Sequence, residues 1–349
     1  MTGTLFLTDT LTAFQSGGGG WQTGPSIYTR KGTLKSAAGE ILGAVSEPGG
    51  VVACLPPVGT SSQLFRVRAP VGRVVTQNDV SGVLQAALER AGGPGQAVLS
   101  AEPTRSFVDG SALQGSPVGV PAQNLEVEVT VFLSPLPFLS ELEKASAEAG
   151  LKIQGVMALE ESTAASFHDD SGVPAHLFLV DRWHAKAMSF SEDTAGPSAL
   201  SVVGAGHITA DLAVTFKLSD DEAEKQALRI ILGRSTADDE EIAHVAMARL
   251  EELAGRLVSA AETIAEKPAE ATLIGLPISP VVEQVFAQHG VTVVAPGQGL
   301  RRKDPPILAL ADGTENLARG ATSRSAVTAL QLDAPSKPAG ILNWIRRNF

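Results

Sequence analysis

The residues in this sequence that could do chemistry are few, and their spacing completes no familiar catalytic pattern. The six histidines are scattered, with neither an HExxH motif nor a Cys/His spacing suited to a metal ion. The one cysteine, Cys54, lies in the apolar run 51–55, where burial raises the pKa of a thiol and favours packing over nucleophilic attack. No Gly-x-Ser-x-Gly motif marks a nucleophilic serine. These residues alone predict neither a metal site nor a nucleophilic enzyme.

A glycine-rich segment, Ser16–Gly20, has the composition of a phosphate-binding loop, because bare main-chain amides can approach an anion closely. A P-loop also needs a Gly-Lys-Ser or Gly-Lys-Thr sequence, and none follows here. A hairpin connection between two strands is therefore the better interpretation of this segment.

Length and charge narrow the class of protein. The chain has 349 residues, of which 44% are hydrophobic, so it can bury the cores of two or more domains. Its net charge of −11 argues against broad nucleic-acid binding, which needs a basic face, while leaving room for a small local basic patch. One cysteine permits no internal disulfide, which favours a reducing compartment. With no signal-peptide pattern and no apolar run of about 18 residues, we expect any membrane contact to be peripheral.

Hydrophobic periodicity and turn residues predict alternating strands and helices along the chain. The predicted strands lie at 4–14 (with a turn), at 50–55, at 125–133, on both sides of a turn within 175–190, at 271–275 and at 291–294. The predicted helices cover 33–45, the residues after 74–80 as far as Ala91, a segment capped by Ser140 and Glu143 and ending at Gly150, and 237–267.

The most informative stretch is Gly204–Lys225, which reads as a glycine turn, an apolar segment and a capped acidic helix. The capping box pairs Ser219, whose hydroxyl accepts from an amide of the first helical turn, with Glu222, which reaches back to the cap. The residue identities in this stretch are more specific than its hydrophobic pattern. Gly-His-Ile-Thr-x-Asp-Leu-Ala from Gly206, followed by Ser-x-x-Glu-Ala-Glu-Lys, resembles the FtsA family of actin-like bacterial cell-division proteins.

Two further segments carry the same resemblance. Val74–Val80 is similar to the segment that opens the inserted small domain of FtsA, and Gly150–Ser166 is similar to the return into the first lobe. The resemblance implies an actin-like (RNase H-like) α/β fold of two lobes, with a small α/β domain inserted in the first. In the family this inserted domain serves contacts between subunits and partners rather than chemistry.

The resemblance also implies domain boundaries. The first lobe has residues 1–70 as its core and is completed by 151–175 and 315–334, the inserted domain is 71–150, the second lobe is 176–314 with an upper domain at about 219–269, and a linker at 335–340 precedes a terminal helix at 341–349. We expect the upper domain to be trimmed, because the strand-rich segment that FtsA carries before the long helix is reduced here to about 232–236.

A site for ATP and Mg²⁺ is implied as well, but its turns lack glycines that main-chain contact with phosphate needs. The turn after the first strand keeps the acidic Asp9 without a glycine. The turn at Asp181 continues Arg182-Trp183-His184 where FtsA has glycines, and Trp183 adds bulk at the phosphate position. The adenosine-contacting Gly-Gly is reduced to Gly275. We therefore expect a pseudo-ATPase that binds ATP with Mg²⁺ weakly or not at all.

Other positions match this site less specifically. The second-lobe candidates are Gly204, Gly206, Glu222 and Lys225. Capping and solvation explain Glu222 and Lys225 as well as a ribose contact does. Glu160 and Glu161 match the position of the group that orients attacking water in actin-like folds. Two exposed carboxylates at the positive end of a helix dipole are the preferred interpretation of that pair.

The last ten residues, after the breaker-rich segment Pro335–Pro338, predict a short amphipathic helix. Its apolar face carries Ile341, Leu342, Trp344, Ile345 and Phe349, and its polar face carries Arg346 and Arg347. Tryptophan and arginine on such a helix are typical of a membrane interface, where each arginine adds roughly 1 kcal/mol of attraction to anionic lipid. A helix docked on its own domain is the alternative, and the resemblance to the membrane-targeting tail of FtsA favours the membrane.

The resulting hypothesis is a divergent FtsA-like scaffold on the inner face of the cytoplasmic membrane, not an enzyme. It would tether a division or cytoskeletal partner, FtsZ in the family, and self-assembly into a homo-polymer would multiply its membrane anchors. One alternative is an active polymerising ATPase with rebuilt phosphate turns. Another is a PilM-like scaffold of a pilus or secretion assembly, which captures a membrane protein's peptide rather than using a tail of its own.

Overall fold

The computed structural model describes residues 3–15, 20–25, 50–148, 151–167, 173–191, 194–236, 239–297 and 306–320. They form two compact units, of which the second comprises 173–190 and 198–309 and the first comprises the rest. Several predicted features lie outside the described residues. They are the helix at 33–45, residues 16–19 of the glycine-rich segment, residues 321–334 of the first lobe, the linker and the terminal helix.

The core of the first unit is a mixed sheet. Its strands are β1 (Gly3–Leu7), β2 (Leu11–Gln15), β3 (Gln22–Pro25), β4 (Gly50–Cys54) and β9 (Lys152–Met157), in the order β3-β2-β1-β4-β9. The three hairpin strands pair antiparallel, while β1–β4 and β4–β9 are parallel. The residues of β1 and β2 are buried throughout, including the polar Thr4, Thr12 and Gln15.

Helices α3 (Leu159–Ser166) and α8 (Ala311–Gly320) belong to this unit and pack closely. The Ser162 and Thr314 hydroxyls are 2.6 Å apart, and a side chain at Gly313 would clash with the Ser162 carbonyl. The second-lobe boundary predicted at residue 314 is therefore wrong, because the chain has already returned to the first unit at Leu310.

The inserted domain is an antiparallel sheet with one helix on it. The strands are β5 (Ser61–Val74), β6 (Gln96–Val108), β7 (Ser111–Leu113) and β8 (Pro121–Pro135), and the helix is α1 (Gln77–Arg90). The strand order is β5-β8-β6-β7. The expected start at residue 71 is wrong, because β5 pairs with β8 from Ser61 onward and so belongs to this sheet.

The face of this sheet that carries α1 is apolar. Val67 on β5 and Val127 and Val129 on β8 pack with Val83 and Leu84 of α1. On the predicted strand 125–133, the alternation of buried and partly exposed residues holds from Leu125 to Val129, after which both faces are covered.

Helix α2 (Leu136–Glu148) follows β8 directly, and it corrects one sequence prediction. Ser140 was expected to cap this helix, but it lies inside it. The first turn already contains Pro137, a residue favoured there because its missing N–H is not needed. The buried side chains of Leu139 and Leu142 draw that turn onto the core.

Another mixed sheet forms the core of the second unit, although residue 191 and residues 194–197 of this sheet group with the first unit. Its strands are β10 (His176–Val180), β11 (Ala185–Ser191), β12 (Thr194–Ser201), β13 (Glu270–Ile274) and β14 (Thr292–Val294), in the order β12-β11-β10-β13-β14. The helices are α4 (Gly206–Phe216), α5 (Asp220–Ile231), α6 (Glu240–Ile264) and α7 (Pro280–Gln288). The apolar segment after Gly204 is thus a helix, whose Ile208 and Leu212 are fully buried. Short 3-10 turns cover Pro57–Gly59 and Pro306–Leu310.

Candidate functional site

In the turn between β1 and β2, where Asp9 lies, main-chain N–H groups form hydrogen bonds within the turn itself. The Thr8 hydroxyl accepts from the N–H of Thr10 at 3.2 Å and from that of Leu11 at 3.0 Å. The Thr8 N–H in turn donates to the Leu11 carbonyl at 3.0 Å. Three main-chain donors of this turn are therefore satisfied locally, and Asp9 itself is fully buried. The Thr8 hydroxyl engages two of these donors and the Leu11 carbonyl engages the third, so none of the three is available to an anion.

The turn between β10 and β11 is closed by the start of helix α4. The N–H of Ala205 donates to the Asp181 carbonyl at 2.9 Å, and that of Gly206 donates to the Arg182 carbonyl at 2.7 Å. The next two amides, of His207 and Ile208, donate to carbonyls within the same segment. The free N–H groups that make a helix N-terminus an anion site are therefore all engaged.

Gly204 and Gly206 serve this contact between turn and helix. A side chain at Gly204 would clash with the Asp181 carbonyl, and one at Gly206 would lie 2.7 Å from the Arg182 carbonyl. Close packing of main chain on main chain thus explains both glycines. The structure brings these two candidates together with Asp181, whose carboxylate accepts from the Arg182 N–H at 2.8 Å.

Bulky side chains cover the same turn. The Arg182 guanidinium lies 5.5 Å from the Trp183 ring centroid, and Trp183 meets His207 edge to face at 5.3 Å. The Gly204 N–H donates to Nδ1 of His207 at 3.1 Å, which ties the imidazole to the start of α4. An aromatic and cationic cluster therefore stands where glycines would leave room for phosphate.

Gly275, at the end of β13, has a structural role of the same kind. Its φ of +95° favours glycine, and a side chain there would clash with the Val180 carbonyl at the end of β10. The glycine lets two neighbouring strand ends approach each other.

Glu222 and Lys225 lie exposed on α5, and the capping box predicted from the sequence is present. The Glu222 carboxylate accepts from the Ser219 N–H at 3.0 Å, and the Ser219 hydroxyl accepts from the Glu222 N–H at 3.3 Å. Hydrogen bonds from the Ser219 hydroxyl and N–H lower the pKa of Glu222 below its usual value. The cap therefore occupies the carboxylate that was a ribose candidate.

The interpretation of Glu160 and Glu161 as exposed carboxylates is wrong, because both are buried at the start of α3. Glu161 accepts a 3.0 Å hydrogen bond from the Ala158 N–H, so it caps its helix as an acidic residue in the first turn should. Burial, with a contribution from the nearby Glu102 charge, raises the pKa of Glu161 to about 8. Burial likewise raises the pKa of Glu102, on β6, to about 7.

Cys54 has the packing role predicted for it. Its side chain is fully buried at the end of β4, and desolvation raises the pKa of the thiol to about 12. A thiol in that state is a poor nucleophile at neutral pH.

Within the described part of the chain, no helix is long and apolar enough to cross a bilayer, and no group of three or more metal-ligating side chains comes together. The tail residues named for membrane contact, Ile341, Leu342, Trp344, Ile345, Arg346, Arg347 and Phe349, lie outside that part.

Sequence reasoning missed one feature of the insertion, which is the long outer strand β5 with Arg66 and Arg68 on its exposed side. The signal was present in the sequence as Arg-Val-Arg at residues 66–68, an alternation typical of a strand.

Comparison with known proteins identifies the insertion. Residues 59–133 match the family model of the SHS2 domain inserted in FtsA. The matched range agrees with a sheet that begins at Ser61. No curated protein sequence matches the chain.

Solved structures identify the fold. The PilM–PilN type IV pilus biogenesis complex is similar with a TM-score of 0.59 at 14% identity, over 90% of this chain and 98% of that one. The ethanolamine utilization protein EutJ from Carboxydothermus hydrogenoformans has a TM-score of 0.46 at 12% identity, over 89% of this chain and 88% of that one. Only the first of these similarities supports a shared fold, and its 14% identity bears on the fold alone.

The chain thus has an actin-like α/β fold and carries an SHS2 insertion. The match confirms the resemblance to FtsA for the inserted domain, residues 59–133.

Proposed function

We propose that this protein is a peripheral membrane scaffold that tethers a cell-division or cytoskeletal partner, FtsZ-like, to the inner face of the cytoplasmic membrane without hydrolysing ATP. The observation that carries the proposal is that main-chain N–H groups at the β1–β2 turn, and those that meet the β10–β11 turn, already have acceptors within the protein. The amides of Thr10 and Leu11 are taken by Thr8, and those of Ala205 and Gly206 by the carbonyls of the 181–182 turn.

Loss of nucleotide chemistry fits a scaffold, because a scaffold needs surfaces rather than a reaction. Actin-type catalysis depends on donors pre-aimed at phosphate oxygens, and hydrogen bonds within the protein occupy those donors here. The acidic Asp9 and Asp181 persist as buried side chains. The neighbouring amides of Thr10, Leu11, Ala205 and Gly206 already have acceptors within the protein, which supports the absence of a nucleotide cradle.

The membrane part of the proposal rests on the pattern of the terminal segment. A single helix of this length binds weakly, and self-assembly would raise its avidity without any new contact. Anchoring of this kind combines apolar burial with arginine attraction to anionic lipid.

Liposome co-sedimentation tests the tether. The full chain should pellet with vesicles of phosphatidylglycerol and phosphatidylethanolamine, and Arg346→Glu with Arg347→Glu should release it. The matched control reverses another basic pair, Arg301 and Arg302, and should still pellet. Equal pelleting of both double variants would contradict a tail-mediated tether.

A PilM-like scaffold of a pilus or secretion assembly is the second candidate, and the TM-score of 0.59 to the PilM–PilN complex favours it. The two candidates differ in where the membrane connection lies. A PilM-like scaffold would reach the membrane through a partner's peptide, so it would not pellet with protein-free vesicles. An active ATPase, the third candidate, requires the two turns to open.

A further inference from the structure

The feature that the proposed function leaves unused is the outer edge of β5. This strand has 14 residues and pairs on one side with β8, while none of the described strands pairs with its other side. From Ser61 to Ala69 its pairing with β8 runs without a register break. An edge of this kind offers main-chain N–H and C=O groups to an added strand.

Three residues are exposed along this stretch, Leu64, Arg66 and Arg68, and two of them are basic. Arg66 and Arg68 lie on the sheet face opposite α1, in a chain whose net charge is −11. Arg66 is held in place, since it hydrogen-bonds Glu126 and lies 4.6 Å from the ring centroid of Phe107. The Arg66 guanidinium also lies 3.9 Å from Glu128, so its charge is partly offset within the sheet, but its side chain is 57% exposed. Arg68 adds a second exposed cation beside the edge that none of the described strands pairs with.

The residues of β8 that lie opposite β5 indicate which side chains pair well with this strand. Arg66 lies opposite Glu128, Arg68 opposite Glu126, and Val67 opposite Val127. Acidic residues thus meet the arginines on one face, while an apolar residue lies between them on the face that carries α1. A strand added at the outer edge would meet the same β5 side chains from the other side.

We propose that the outer edge of β5 binds an extended acidic segment of a partner protein by strand addition, with acidic and apolar residues alternating along that segment. Main-chain pairing supplies the affinity, and Arg66 and Arg68 select the charge. The proposal uses neither the terminal segment nor the phosphate turns, so it stands whether or not the protein binds membrane.

Charge decides against two other occupants. A second copy paired antiparallel through β5 would bring Arg66 and Arg68 against their own counterparts, and like charges opposite each other destabilise a sheet. The segment 321–349 of this chain has four basic residues, Arg324, Lys337, Arg346 and Arg347, and only Asp333 is acidic. It therefore has the same sign of charge as the edge.

The test uses a fluorescent peptide with the sequence of residues 125–131, Leu-Glu-Val-Glu-Val-Thr-Val, capped at both ends. Fluorescence anisotropy should show binding to the full chain, and changing both glutamates to lysine should weaken it by about tenfold or more. Two further peptides carry N-methyl groups on alternate residues, so that each peptide has the N–H groups of one of its two edges blocked. One of the two should lose binding, because only one edge of an added strand faces β5.

Variants locate the peptide on the protein. Arg68→Glu should weaken binding by about tenfold, and reversal of both Arg66 and Arg68 should abolish it. Arg105→Glu is the matched control, because Arg105 lies opposite Glu128 on the other side of β8, away from the edge. It should bind like the unchanged protein, with thermal unfolding monitored to show that each variant folds.

Amide hydrogen exchange locates the bound peptide on the protein by an independent measurement. Bound peptide should slow exchange within residues 61–69. The proposal is overturned by equal binding of the lysine peptide, by equal binding to Arg68→Glu, by protection confined to another segment, or by no binding up to about 1 mM.

Discussion

The main-chain N–H of Gly206 donates a 2.7 Å hydrogen bond to the carbonyl oxygen of Arg182. This bond joins the start of helix α4 to the turn between β10 and β11. A helix start with free amides attracts anions, whereas one whose amides already have acceptors does not. The bond therefore engages an amide that a phosphate bound at this helix start would need.

The first prediction concerns the packing at Gly204. Gly204→Ala should lower the free energy of unfolding by about 1–3 kcal/mol, because a Cβ there overlaps the Asp181 carbonyl and cannot be relieved by moving a side chain. Urea unfolding followed by circular dichroism measures the change. Gly82→Ala, inside α1 with open space around it, is the control and should stabilise by about 0.5–1 kcal/mol. Similar effects of the two substitutions would argue against close packing at Gly204.

The second prediction separates a real helix cap from a false one. Ser219→Ala should cost about 1 kcal/mol, because the hydroxyl that accepts from the Glu222 N–H is lost. Ser140→Ala should be neutral or stabilise by a few tenths of a kcal/mol, because Ser140 lies exposed inside α2, where alanine is the better helix former. Urea midpoints of both variants test the pair, and a larger loss at Ser140 would contradict the observed start of α2.

The third prediction concerns pH and the buried carboxyl of Glu161. Its pKa is raised from an ordinary 4.5 to about 8, so between these values the folded state binds more protons than the unfolded state. Stability from this group is thus complete below pH 4.5 and falls as pH rises toward 8. Glu161→Gln keeps an oxygen for the Ala158 N–H and removes the titration, so its advantage over the unchanged protein should grow with pH.

The control for that series is Glu222→Gln, where the sign is opposite. Hydrogen bonds with Ser219 lower the pKa of Glu222, so its cap stabilises above the unfolded pKa and weakens as pH falls. Glu222→Gln should therefore lower the urea midpoint at neutral pH and leave it unchanged in acid. A Glu161→Gln advantage that is constant across pH would refute the buried, protonated carboxyl.

The extent to which the sequence predicted this molecule depended on the distance over which each signal acts. The Ser219–Glu222 cap and the strand at 50–55 are local patterns, and both are present. The start of the insertion at Ser61 was missed because only pairing with β8, some sixty residues away, shows that β5 belongs to that sheet.

Burial of the carboxylates was beyond sequence reasoning for a similar reason. An acidic pair at a helix start is usually solvated, and here α8 and the insertion's β6 bring residues from far along the chain against α3. The glycines illustrate the limit of a motif. Gly204, Gly206 and Gly275 lie in the segments that the resemblance indicated, but their contacts are with main chain and reflect packing.

Hydrogen bonds within the protein close the turn at residues 8–11 and the turn at residues 181–184. Equilibrium titration of the full-length protein with ATP and Mg²⁺ by isothermal calorimetry tests this closure most directly. The account predicts no binding up to about 1 mM nucleotide, where even a weak site would be half filled. Saturable binding with a Kd of about 1 μM would contradict it, because the amides of the two turns would then have to leave their present partners.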